Sequence, residues 1–491
     1  MNETVLADAS SKGLDHRTVW RWHFYAGLFC IPFVLWLSVT GTVFLFHPQI
    51  QRMLDRPYHH LSIQQRNSAN DQVQAALAAV PGSTLDAYEL PHSPTSAAQV
   101  LVDRGTQQFR VYVHPQSLAI LKVDNEDYRV DVFTSRLHGE LLLGKYGSWI
   151  VELAGSWAVV MILTGLFLWW PRNSRGVGGV LYPRTGLGSR AFWKDIHAVT
   201  GIYVSFFALF LLLTGLPWAK SWGGYLKAVR HFSAGHDVSQ DWTTGSADRL
   251  AARSARSTSA MHDMSSMPGH DMSHMQSGES MEGMPGVGVA PHADHASVFG
   301  RHATMLRGPD AFTAIDAIVT SVAPLNLPSP VLISPPMHAG GNWSAKSDTR
   351  DRPLRVDLVL DGRSGAILKR TDFRSKPWLD RVINTGIAAH EGQLFGLANQ
   401  LVSLFTTVGL VLLSISGLVM WWRRKPDATL GAPHAVRPVR FSAGLIALMV
   451  ALGMYFPFLG ASMIVVGLAE RFVLRALPST RRWLGLRPVS A

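Results

Sequence analysis

Trp22-His23-Phe24-Tyr25-Ala26-Gly27 opens one long apolar run, and Ile196-His197-Ala198-Val199-Thr200-Gly201 opens another. In both, a glycine stands four residues after the histidine, and Thr40-Gly41 or Thr214-Gly215 begins seventeen residues beyond it. A second pair of runs starts His138-Gly139-Glu140-Leu141-Leu142-Leu143-Gly144 and His390-Glu391-Gly392-Gln393-Leu394-Phe395-Gly396. Twenty-six residues after each of those histidines comes Thr164-Gly165 or Ser416-Gly417, followed by Trp169-Trp170 or Trp421-Trp422 and then Arg172 or Arg424. The chain reads as a two-span unit written twice, with a histidine towards each end of each copy.

The runs Phe24–Phe46, Trp149–Trp170, Ile202–Trp218 with its flanks, and Leu397–Trp422 each approach or exceed the roughly 20 apolar residues that a bilayer crossing needs. Composition agrees: only 16% of the 491 residues are charged, against about 25% in a soluble domain. The formal charge of +11 does not point to nucleic acid, because the basic residues flank apolar runs and no nucleic-acid-binding motif accompanies them. A single cysteine, Cys30, excludes a disulfide scaffold. Polar residues precede the first run and no small-residue cleavage site follows it, so it reads as an uncleaved anchor.

Arg17 and Arg21, the basic residues of 172–194 and those after 422 are expected on the cytoplasmic side. The long connections 47–137 and 219–389 are then exported. The apolar stretch Phe441–Leu474 breaks at Phe456-Pro457-Phe458 and ends in Arg471, Arg475, Arg481 and Arg482. A helical hairpin turning near Pro457 keeps that basic tail inside.

At 1.5 Å per residue, Thr40 lies about 26 Å beyond His23, nearly the full hydrocarbon thickness. His23 and His197 are therefore expected at the cytoplasmic side. His138 would lie about 48 Å before its Trp pair in one unbroken helix, which puts it, like His390, at or above the exported face. A buried histidine can be an ordinary hydrogen-bonded packing residue. Two symmetric pairs suggest more, since facing helices commonly hold cofactors and imidazole is an axial ligand of haem iron. The reading is two haems b, His23 with His197 and His138 with His390, with nearby glycines admitting a flat macrocycle and arginines facing its propionates. His16, His47 and His231 are reserve ligands, having no repeat partner. Zinc lacks a third ligand at recurring spacing. No Gly-x-Gly-x-x-Gly follows a strand, so the electron donor, cytoplasmic or a quinol, is expected to be separate.

Each exported connection carries a small α+β plan. In the first, a helix over Asp71–Val80 precedes extended Leu85–Leu90, Gln99–Asp103, Phe109–Val113 and Leu118–Val123. In the second, a helix over Asp310–Val322 precedes Val331–Ser334, Arg355–Leu360 and Ala366–Arg370. The His-x-x-x-Gly starts, the Thr-Gly and Trp-Trp ends, the Gly215-Leu216-Pro217-Trp218 turn and these small domains together resemble the PepSY-associated transmembrane family. That resemblance implies a bacterial inner-membrane protein of the iron-regulated kind, some of whose members are haem-containing reductases of ferric siderophores. The implied fold is an α-helical integral membrane bundle, a duplicated two-span unit of four core helices plus the C-terminal hairpin, with two small periplasmic α+β PepSY-like domains. Its expected parts are an N-terminal segment 1–22, spans 23–46, 138–171, 194–218 and 390–422, cytoplasmic loops 172–193 and 423–440, PepSY-like domains 47–137 and 310–389, a linker 219–309, the hairpin 441–475 and a tail 476–491. The partners implied are a ferric siderophore or other periplasmic metal complex, the separate donor, and membrane lipid.

Within the linker, residues 261–295 are rich in methionine and histidine: Met261, His262, Met264, Met267, His270, Met272, His274 and Met275, continuing to Met281, Met284, His292 and His295. The composition is too polar and glycine-rich for a packed core. Thioether and imidazole select soft copper, so copper binding or cupric reduction is an alternative. A transporter and a non-enzymatic sensor are others; transporters usually hold their polar groups near the membrane midplane, whereas these histidines lie towards its faces.

Overall fold

The computed structural model describes residues 16–171, 176–234, 312–336, 341–425, 429–432 and 443–486. Helices α1 (His16–Leu45), α2 (His47–Asp55) and α3 (Ala69–Ala79) lead into strands β1 (Thr84–Glu89), β2 (Ala98–Arg104), β3 (Gln107–Val113) and β4 (Ile120–Asn125). Then come α4 (Val130–Glu140), α5 (Lys145–Trp169), α6 (Ser189–Gly215) and α7 (Lys220–Ala234). Further along stand α8 (Ala314–Val322), β5 (Val331–Ser334), β6 (Trp343–Ser347), β7 (Val356–Leu360) and β8 (Ile367–Asp372). The chain closes with α9 (Trp378–His390), α10 (Leu397–Arg424), α11 (Ala443–Tyr455), α12 (Pro457–Ala469) and the short α13 (Pro478–Trp483).

Five helical stretches are long and apolar enough to cross a membrane: α1, α5, α6 with its following turn, α10, and α12 continued to Leu474. The protein is thus a multi-pass membrane protein. Their outward residues, such as Phe206, Val408 and Val465, are exposed and apolar, as a lipid-facing surface requires. Helices α11 and α12 fold back on one another at Phe456-Pro457, where Gly453 and Gly460 let the backbones meet: a Cβ on Gly453 would lie 3.2 Å from the Gly460 Cα. Phe456 and Leu459 pack with Val159 and Leu216, and α13 comes home beside the start of α1, where Arg21 donates to the Gly485 carbonyl at 2.9 Å.

The strands of the two segments read as small α+β domains join in one antiparallel sheet of order β4-β3-β2-β1-β5-β6-β7-β8. The join is β1 with β5, Tyr88 opposite Ile333 and Glu89 opposite Leu332. One core serves both halves, with Val73, Val100 and Val111 packed in the same cluster as Ile315, Ile333 and Leu358. The helices are tied across the join as well, since Asp316 on α8 accepts from the Ala69 and Asn70 amides that open α3, at 2.7 and 3.2 Å. We call the end of the bundle beside this sheet the sheet end and the opposite one the loop end.

The lead-in to α5 is a separate short helix: α4 stops at Glu140 and the chain reverses through Leu141 and Leu142 at φ 49° and 59° and Gly144 at φ 57°. Gly147 backs onto that turn so closely that a Cβ would lie 1.7 Å from the Glu140 carbonyl oxygen. The reversal brings His138 down beside Thr40.

Candidate functional site: two histidine pairs

Each of the four histidines meets the Thr-Gly or Ser-Gly step of a neighbouring helix. On α1, His23 Nδ1 lies 2.9 Å from the Met161 carbonyl and 3.3 Å from Thr164 Oγ1, both on α5. On α6, His197 Nδ1 lies 3.2 Å from the Leu413 carbonyl and 3.0 Å from Ser416 Oγ, both on α10. His138 on α4 reaches Thr40 Oγ1 of α1 at 3.0 Å, and His390 on α9 reaches Thr214 Oγ1 of α6 at 3.1 Å. The glycine following each hydroxyl residue makes room for the ring: a Cβ on Gly41, Gly165, Gly215 or Gly417 would lie 3.0, 3.0, 3.2 or 3.5 Å from the imidazole Cε1. These glycines therefore seat imidazoles rather than a macrocycle. A Cβ on Gly27 or Gly201, in the His-x-x-x-Gly starts, would lie 3.9 Å from Met161 Sδ or 3.7 Å from a Leu413 methyl, ordinary contact at the helix crossings.

The hydrogen bonds settle which ring nitrogen carries the proton. A carbonyl can only accept, so Nδ1 of His23 and of His197 donates to it. The Thr40 and Thr214 hydroxyls spend their own protons on the Trp36 and Phe210 carbonyls at 2.8 and 2.7 Å, so they too accept from Nδ1–H. All four Nε2 atoms are left as bare lone pairs, with no hydrogen bond to any described residue. Nε2 of His47 is sealed in the protein without a partner, whereas none of these four is closed off. An Nδ1–H bond that fixes the tautomer and aims Nε2 is the outer-shell arrangement of metal-ligating histidine.

At the loop end the rings of His23 and His197 face each other, centroids 6.3 Å apart and planes 79° to one another. With metal–imidazole bonds of about 2 Å and Nε2 about 1 Å from its ring centre, one shared metal needs centres roughly 6 Å apart. The observed spacing fits. At the sheet end the Nδ1–H bonds of His138 and His390 to Thr40 and Thr214 leave each Nε2 without a proton that a metal would have to displace. Among the described residues no group of three or more His, Cys, Asp or Glu comes together. The two-histidine sets therefore suit a cofactor that brings its own equatorial ligands, as haem does.

Charged groups that sequence reasoning passed over hold the sheet-end pair. The β6–β7 loop sends Arg350 to Asp131 at the start of α4, 2.8 Å, and Arg352 to Asn384 on α9, 3.0 Å. One loop thus grips both histidine-bearing helices. Arg352 also lies 4.0 Å from buried Glu391, the residue after His390. On the sheet side, Arg129 and Tyr112 surround Asp55, and Arg110 lies between Glu89 and Glu126. Burial works against the Asp131 carboxylate, but Arg350 and Arg129 outweigh it and hold the group below its ordinary range. The only sequence signal for this clamp was a pair of arginines two apart, Arg350 and Arg352, in an otherwise loop-like stretch.

The reserve histidines lie elsewhere: His16 opens α1, His231 is exposed on α7, and His47 is buried at the α1–α2 corner with Nδ1 donating to the Phe44 carbonyl. At the loop end Arg424 lies over the Trp20 ring at 4.3 Å. Arg172 and the methionines and histidines of 261–295 lie outside the described residues. Compared with family models, residues 20–424 match the one described as the PepSY-associated TM region. A search of curated proteins gives no match.

Proposed function

Because the chain belongs to the PepSY-associated transmembrane family, we propose that it is an inner-membrane electron-transfer protein that binds two haems b between its histidine pairs and reduces ferric complexes, above all ferric siderophores, on the exported face. On this reading the sheet end is exported, the loop end is cytoplasmic, and the bundle is a duplicated two-span unit. The observation that carries it is the fourfold recurrence of one arrangement: Nδ1–H spent on a neighbouring helix, Nε2 bare, ring seated on glycine. Haem held there by His23 and His197 or by His138 and His390 would supply one-electron transfer.

The chain's own groups do the rest. Thr40, Thr214, the Met161 and Leu413 carbonyls and the hydroxyls beside them hold the tautomer and the ring plane. The Arg350 and Arg352 loop fixes α4 and α9 under the sheet. The sheet offers a surface on which a bulky chelate can lie. Ferric iron accepts one electron there, and the weaker hold of the chelate on Fe(II) releases the metal. A second reading, cupric reduction by the same path, is favoured by the Met/His composition of 261–295.

The visible spectrum of the purified protein tests the proposal: a reducible Soret band and α-band of b type, halved in intensity by His197→Ala or by His390→Ala. Reduced protein mixed with a ferric siderophore should reoxidise and yield Fe(II) trapped by a ferrous chelator. Full haem retention in all four single alanine variants sinks the ligand assignment, and reoxidation by oxygen alone sinks the reductase.

A further inference from the structure

Beside the sheet-end pair the two halves part company. Counting from the matched histidines and threonines, Trp36, Phe133, Thr134 and Leu137 of the first half correspond to Phe210, Thr385, Gly386 and Ala389 of the second. In the first half the Trp36 indole spans the gap between α1 and α4, donating to the Leu137 carbonyl at 3.1 Å. In the second half every counterpart is smaller, and an open cleft of about 680 Å³ lies between α6 and α9. That volume is in the range of small-molecule sites, which are largely apolar with a few placed polar groups.

Its walls are built to that pattern. Phe210 and Thr214 come from the end of α6, and Trp378, Arg381 and Phe395 stand around the mouth. Trp378 and Phe395 are 69% and 73% exposed, so the mouth carries aromatic rings at the level where the span ends, the usual place for them at a membrane–water boundary. Arg381 is the counterpart of Arg129, which is occupied by Asp55 and Glu126. Arg381 makes no ion pair among the described residues and lines the cavity instead. The inner wall includes Thr214, whose hydroxyl accepts from His390 Nδ1 at 3.1 Å. A ring resting on Thr214 would therefore lie one side chain away from His390.

We propose that this cavity binds the head of a membrane quinone, the ring between the aromatic side chains and a ring oxygen accepting from Arg381. The proposal rests on the electron-transfer reading above and names the class of its separate donor. Lipid solubility, a flat apolar ring and hydrogen-bonding oxygens are what a lateral, aromatic-rimmed cavity with one unpaired guanidinium selects. Contact with the wall that orients His390 gives a redox-active occupant a use for the place that an acyl chain would not have. Overall, one quinol would reduce two ferric complexes, becoming a quinone and releasing two protons to the exported side.

The test is equilibrium binding of decylubiquinone and of menadione to the full-length protein in phosphatidylcholine nanodiscs, with haem content measured in parallel. The expected result is saturable binding, weakened at least tenfold when Phe210→Trp and Thr385→Phe import the first half's own residues, and weakened about fivefold in Arg381→Gln. Thermal unfolding and the loop-end haem signal check that the filled variant folds. Binding that only partitions with lipid, that survives the filled cavity, or that an anionic phospholipid displaces completely overturns the proposal. His390→Ala protein that has lost its sheet-end haem but still binds the quinone separates the two ideas. Quinone binding by protein that never holds haem keeps this site and removes the reductase, whereas haem without quinone binding does the reverse.

Discussion

The loop-end and sheet-end pairs use the same hydrogen bond but stand on different supports. His23 and His197 ride on α1 and α6, helices that themselves cross the membrane, and their spacing follows from how α1 packs on α5 and α6 on α10. His138 and His390 sit in the last turns of α4 and α9, short helices held from above by the β6–β7 loop. Near the loop-end pair the ion pair is Arg184 with buried Asp195, two residues before His197 on the same helix, whereas the sheet-end pair is held by ion pairs reaching out of the sheet. The sheet is therefore a positioning element for one end of the bundle as well as a candidate docking surface.

The largest effect that this difference predicts comes from Arg352. Arg352→Leu removes the partner of Asn384 and leaves Glu391 buried without its countercharge, a loss of about 3–5 kcal/mol for a broken buried pair. Redox titration and electron paramagnetic resonance should show the sheet-end haem signal lost or broadened while the loop-end signal stays. Adding Glu391→Gln should recover much of it. Equal damage at both ends breaks the comparison.

Next in size are the seats. Gly41→Ala and Gly165→Ala put a Cβ 3.0 Å from an imidazole carbon and should cost about 1–3 kcal/mol, with haem loss at the end concerned. Gly417→Ala, at 3.5 Å, is ordinary contact and should cost less than about 1 kcal/mol. Haem content and unfolding temperature across the four alanine variants read this order. A flat response means the rings are not seated on these glycines in the loaded protein.

Much of this arrangement was legible because it is written in short, fixed spacings. His-x-x-x-Gly, Thr-Gly and Trp-Trp recur at constant offsets, and a helix turns constant offsets into constant places. What could not be read depended on partners far apart in the chain. The pairing of Tyr88 with Ile333 joins segments 245 residues apart, and no local pattern demands it, since an edge strand gives no sign of which edge it will meet. Strand β6, Trp343-Ser344-Ala345-Lys346-Ser347, was passed over because its inward residues are Trp, Ala and a small Ser, too weak an alternation to mark a strand. The reversal after Glu140 was hidden by leucine: Leu141 and Leu142 hold left-handed backbone that sequence reasoning reserves for glycine or asparagine. Thr40, on another helix, fixes the level of His138.

A smaller effect separates the two ends by pH. His47, 2% exposed, donates its Nδ1–H to the Phe44 carbonyl, so a second proton must go on the sealed Nε2, within reach of the charges of Arg350, Asp131 and Arg129. Burial first, then Arg350, pushes it down to about 4 despite the opposing pull of Phe44 and Asp131. Between its ordinary value of 6.5 and about 4 the unfolded chain binds the extra proton and the folded chain does not. Stability is therefore full above 6.5 and falls as the pH drops through that window, by about 2 kcal/mol from 6.5 to 5. Hydrogen exchange in mild acid should loosen α2 and α4 before the loop end, and His47→Leu should flatten that part of the slope. An unchanged slope in His47→Leu would show that the acid sensitivity of the sheet end comes from other groups.

The smallest expected effect on either pair comes from the longest deletion. Residues 261–295 carry seven methionines and five histidines, soft and borderline ligands that suit copper better than the ferric substrate, beside five carboxylates. Among the described residues every Nδ1 partner and every seating glycine belongs to α1, α5, α6 or α10. Removing 261–295 should leave both haem signals and the rate of ferric-siderophore reduction within about twofold of the full chain, while copper bound per chain, measured by competition with a cuprous chelator, falls. Loss of ferric reduction with copper binding intact would instead make the segment part of the ferric site and make the sheet end, unlike the loop end, dependent on more than the bundle and the sheet.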